Sequence, residues 1–132
     1  MQATKKLMIY CHTHSDATIR YCASQMQLHI HSDASYVSAS KSRIRVGGQL
    51  FLSDKFNPKS QTKHNGAVLV VAAILKNVMA STEEAELGGL FVNSKEKEVL
   101  RTSLEEMGHP QGPTPMQADN SMASGIINKT VK

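Results

Sequence analysis

Three acids in this 132-residue sequence stand where they could do chemistry together. Asp33 ends the alternating apolar run of "LHIHSDASY" (28–36), and Asp119 follows "TPMQA". Glu86 falls in "STEEAEL", a pattern expected at a helix start. Two carboxylates at strand ends and a third from a helix start can converge in an α/β domain, whose ligand sites favour the carboxyl ends of strands. Converging carboxylates repel and raise one another's pKa unless a cation neutralises them. Magnesium suits such a site, being hard, oxygen-seeking and readily shared with phosphates; manganese could take its place. The residue types also allow a plainer reading, in which Asp33 and Asp119 are turn or cap residues and Glu86 is a solvated helix acid.

The elements that must position these acids follow from periodicity. Residues 4–12 read as a short helix, "THSDAT" as a turn and "TIRYCA" as extended. In the strand expected at 26–33, Leu28, Ile30 and Ser32 face one way and His29, His31 and Asp33 the other. "ASYVSASKS" is small and polar, hence a connection. "RIRVGGQLFL" alternates Ile44 and Val46 against Arg43 and Arg45, and Gly47–Gly48 suggest a bulge or a close backbone approach. After the loop "SDKFNPKSQTKHNG" comes "AVLVVAAIL", which predicts a strand buried on both faces, with a buried helix as the alternative. Ser81 or Thr82 opens a helix whose apolar residues recur at helical spacing to Gly108, with Gly88–Gly89 allowing a close neighbour. "HPQGPTP" is a rigid linker, "TPMQADN" a strand, and "SMASGIIN" a short helix opened by Asn120 or Ser121. No internal repeat is visible.

Bulk properties narrow the function. The length suits one domain with its own core. The formal charge of +4 is uneven: residues 1–79 carry +7 and residues 80–132 carry −3. A basic first half suits a polyanion such as nucleic acid, although a solvated lysine-rich surface has the same composition. With no Trp, three Tyr and three Phe, an aromatic base-stacking platform is disfavoured. No apolar run is long enough to span a membrane, and "MQATKKLMIY" lacks the apolar core of a signal peptide. Two cysteines are too few for a disulfide scaffold, so reduced thiols and an intracellular place, cytoplasmic or nuclear, are expected.

Cys11, His12, His14, Cys22, His29 and His31 invite a zinc reading. Their spacings match no finger or ribbon, so thiols in small contacts and histidines on a strand face are preferred. His31 shares a strand face with Asp33 and could support a metal site there from one step away. No Ser-His-Asp or Cys-His arrangement, P-loop or dinucleotide fingerprint is present.

Taken in order, "LHIHSDASY", "RVGGQLFL", "NVMASTEEAELGGLFVNSKE", "LRTSLEEMGHP" and "PTPMQADNSMASGIIN" resemble the ribonuclease H domain of copia-type LTR retrotransposon polyproteins. The resemblance covers roughly residues 20–132, with 1–20 similar to the segment that joins the reverse transcriptase region to it. It implies an α/β fold: a mixed ribonuclease H-like sheet whose first three strands form an antiparallel meander, then a long helix and a strand parallel to the first. It implies that Asp33, Glu86 (rather than Glu84, because "AEL" aligns with the family's Ala-Glu-apolar triplet) and Asp119 are catalytic metal ligands. The implied activity is hydrolysis of RNA in an RNA–DNA hybrid by two magnesium ions ~3.5–4 Å apart. The hybrid and a reverse transcriptase domain are the implied partners. Gly47–Gly48, Arg43 and Arg45 are candidates to line the hybrid's shallow minor groove, where 2′-hydroxyls distinguish RNA. The family has a fourth acid on a C-terminal segment that the sequence, ending "NKTVK", does not contain. An incomplete domain of weakened activity is therefore expected, and the runner-up is a non-catalytic remnant that only folds, or binds nucleic acid or a polymerase partner.

Overall fold

A computed structural model describes residues 2–39, 43–119 and 128. Its element order is α1 (Gln2–Thr13), β1 (Gln27–Ala39), β2 (Arg43–Ser53), β3 (Ala67–Leu75), α2 (Thr82–Glu106) and β4 (Met116–Ala118). The strands form one mixed sheet in the order β3-β2-β1-β4. β1, β2 and β3 make an antiparallel meander, and β4 pairs parallel to β1. Residues 121–127, over which most of the "SMASGIIN" helix is expected, lie outside the described residues. Among those described, no helix is long and apolar enough to cross a membrane.

The period-two pattern of β1 and β2 builds the core. Leu28, Ile30 and Leu50 pack with Leu104, and Ala34, Ile44 and Val46 pack with Ala85, so α2 covers one face of the sheet. The helix is held at both ends. The Ser81 side chain accepts from the Glu84 N–H, and the Glu84 carboxylate reaches back to the Ala80 N–H at 2.7 Å. At the other end Gly108 adopts φ +86°, and the Gly108 and His109 N–H groups close onto the Glu105 and Leu104 carbonyls.

Two expectations need correction. β1 does not stop at Asp33 but runs on to Ala39, because Ala34 and Ser35 stay in register with Val46 and Arg45. The small polar residues read as a connection are thus largely strand, carried by the β2 ladder rather than by their own propensity. β3 is a strand, as expected, but it is not buried on both faces. It is an edge strand, with Val68, Val70 and Ile74 about half exposed or more, because only one sheet face is covered by α2. The glycine pair gives close approach and no bulge, since the register runs unbroken through Gly47 and Gly48.

Candidate metal centre

β1 sits inside the sheet, and its edge away from β2 meets different kinds of acceptor in turn. The Leu28 N–H donates to the Gln111 side chain at 3.0 Å, and the Ile30 N–H to the Pro115 carbonyl at 3.0 Å. The β4 ladder extends only as far as Ser32 opposite Ala118. Two residues further on, the Ala34 N–H points to the same edge with no strand left to receive it. Glu86, from the second turn of α2, fills that vacancy: its Oε1 accepts from Ala34 at 3.3 Å.

This is how three acids distant in sequence come together. Asp33 lies beside Ala34 on β1, Asp119 immediately follows β4, and Glu86 reaches the gap between them from above. One carboxylate oxygen from each lies within 4.8 Å of the others. Oxygens sharing a magnesium ion at ~2.1 Å can be at most about 4.2 Å apart, so small rotamer adjustments suffice to close the set. Asp33 and Asp119 are exposed, whereas Glu86 is only 3% exposed. Its second oxygen, Oε2, is buried without any hydrogen-bond partner. A buried carboxylate oxygen with nothing to bond is costly, and a cation is the partner that the neighbouring acids would share. Burial pushes the Glu86 carboxyl up, the Ala34 N–H pulls it back, and the charges of Asp119 and then Asp33 push it up further. The donor set therefore fits a hard divalent cation, which would neutralise all three groups at once.

The other acids of the helix start point elsewhere. Glu84 caps the helix through Ala80, and the Glu83 carboxyl is held low by its own backbone N–H and by Ser81. Arg45 is exposed and stands opposite Ser35, two residues beyond Asp33 and on the same sheet face. On that face His31 stacks edge-on with Phe51 and with His64 at 4.6 Å between ring centroids. Burial, then the His64 charge, lowers its pKa, against a bond from Gln117 that raises it. A cavity of about 880 Å³ is lined by His31 and Gln117 among others, but the three acids do not line it.

The residues of the zinc reading do not assemble. Cys11 and Cys22 are free and exposed, His14 bonds the Tyr10 carbonyl, and His29 bonds the Asp54 carbonyl. Among the described residues the acid triad is the one group that could hold a metal.

Two buried amides, Asn93 beside the site and Gln111 nearer the start of β1, carry little signal in the sequence. Asn93, fully buried on α2, donates to Ser32 Oγ at 2.9 Å and to the Gly47 carbonyl at 3.1 Å. Gln111, in the proline-rich linker, accepts from Leu28 and donates to the Met26 carbonyl, while Arg101 holds its own carbonyl at 2.6 Å. A lone amide within the apolar stripe formed by Ala85, Gly89 and Leu90 was the available clue for Asn93.

Comparison with known proteins yields no relative: no family model, curated protein or solved structure matches this chain.

Proposed function

We propose that this chain is a ribonuclease H-like domain of the copia retrotransposon type, built for divalent-cation-dependent hydrolysis of RNA in RNA–DNA hybrids. The observation that carries the reading is the meeting of Asp33, Glu86 and Asp119, with Glu86 Oε2 buried and unbonded among them. The ordered motifs of the sequence supply the family, and the sheet order with β4 parallel to β1 is compatible with it.

In this reading Glu86 is the buried anchor, fixed through Ala34, and Asp33 and Asp119 are the exposed groups that share the cation with substrate phosphate. A bound divalent cation supplies charge stabilisation at the phosphoryl group and makes water a better nucleophile at neutral pH. The chain's own residues set where that charge sits. Arg45, exposed on the Asp33 face, would meet a backbone phosphate in this reading, and the basic first half of the chain would favour approach of a polyanion.

The test is cleavage of the RNA strand of a hybrid oligonucleotide, by the chain alone and joined to a C-terminal segment that supplies a fourth carboxylate. Magnesium-dependent cutting by either form, lost in Asp119→Asn, supports the proposal. The chain alone is expected to cut weakly, because about 1 Å of misplacement in such chemistry costs on the order of 100-fold. Absence of cutting in both forms would favour the non-catalytic reading.

A further inference from the structure

We propose that Asn93 is a positioning residue for this centre, setting the backbone of Asp33 so that its carboxylate meets those of Glu86 and Asp119. The inference rests on the reading of the three acids as a cation site. Asp33 is flanked in sequence by Ser32 and Ala34, and α2 holds both. Glu86 takes the Ala34 N–H, and Asn93, two turns further along the same helix, donates to Ser32 Oγ. The second proton of the Asn93 amide bonds the carbonyl of Gly47, the residue opposite Asp33 in the β1–β2 register. One amide therefore ties together the residue before Asp33 and the residue across from it.

The packing around Asn93 is arranged to admit that amide. A Cβ on Gly48 would stand 2.0 Å from Asn93 Oδ1 and 2.6 Å from its Cγ, so only glycine leaves the space. Gly89 lets α2 approach β1 closely, where an added Cβ would already stand 3.3 Å from the Ala34 Cβ. Asn93 Oδ1 is buried without a partner. Cohesion alone would be served better by an apolar side chain, which strands no acceptor. Ser32 and Gly48 also interrupt the apolar core, lying in sequence between Ile30 and Ala34 on β1 and between Val46 and Leu50 on β2. A polar brace between two apolar clusters, bonded to the residue before a candidate ligand and to the residue across from it, orients that ligand as outer partners orient groups at metal sites.

The experiment titrates manganese and magnesium into the full chain by calorimetry, well below its melting temperature. The proteins compared are wild type, Asn93→Ala, Ser32→Ala and an Asp33→Asn control. Asn93→Ala should weaken cation affinity about tenfold, and Ser32→Ala, which leaves the Gly47 bond in place, about threefold. A purely structural role would lower the melting temperature but leave the affinity of the folded variant unchanged, and that result overturns the proposal. If Asn93→Ala fails to fold, Ser32→Ala decides by the same criterion. A wild-type chain that binds no cation removable by Asp33→Asn overturns the reading of the acids and this inference with it. Firm wild-type binding with unaltered variants overturns this inference alone.

Discussion

Gly47 and Gly48 are adjacent and lie in the same strand, yet alanine should have opposite effects at the two positions. At Gly47 the nearest atom to an added Cβ is the Asp33 carbonyl oxygen at 3.9 Å, an ordinary contact. At Gly48 the added Cβ would overlap the Asn93 amide, with all three of its outer atoms within 2.9 Å. Asn93 is fully buried in a packed helix–sheet interface, so it can escape only by giving up its bonds to Ser32 and Gly47. Two hydrogen bonds at about 1 kcal/mol each, together with the penalty of about 1–3 kcal/mol for a buried group left unpaired, set the loss. The gain from replacing glycine offsets about 0.5–1 kcal/mol of it. The net expectation for Gly48→Ala is a loss of about 2–4 kcal/mol, or a melting temperature lower by roughly 10 °C for a chain of this size. Gly47→Ala should be neutral or more stable by about 0.5 kcal/mol. Urea and thermal denaturation of the two variants decide the matter. If Gly48→Ala proves as stable as Gly47→Ala, the close approach of Asn93 to the sheet is not what the structure describes.

Glu86→Gln should stabilise the cation-free protein above the ordinary carboxylate range while removing its response to magnesium. Burial raises the native pKa of Glu86 above its unfolded value. Between the two values the native state holds the extra proton, so stability falls as pH rises through that window. Urea denaturation across pH should show this fall in the wild type and not in the variant, which keeps an acceptor for Ala34; an equal fall in both would count against it. Cys11→Ser combined with Cys22→Ser should leave cation binding unchanged in calorimetry, since both thiols are exposed and outside the triad. Loss of a tightly bound zinc from that double variant would restore the zinc reading.

The sequence reveals the three acids more readily than the structure that gathers them. Asp33, Glu86 and Asp119 are marked by residue type and by their place at the start or end of periodic segments. The capped start of α2 follows from the same local signals, whereas the antiparallel meander and the parallel fourth strand are implied only by the resemblance of the ordered motifs. What could not be read is set by tertiary pairing. "ASYVSA" has weak strand character of its own, and the ladder to β2 extends it. "AVLVVAAIL" looks like an interior strand because its composition cannot report that it lies at the sheet edge with one face uncovered. Asn93 and Gln111 act through partners far along the chain, and an isolated amide in a helix or linker announces no such partner.

The most direct test of the central claim is a crystal structure of the chain soaked in manganese, with the ion located by anomalous scattering. The expected result is a peak bonded by Glu86 Oε2 and by one oxygen each from Asp33 and Asp119, with the Ala34 bond to Glu86 Oε1 retained. No peak at the triad, or a peak held by the cysteines and histidines instead, would contradict it.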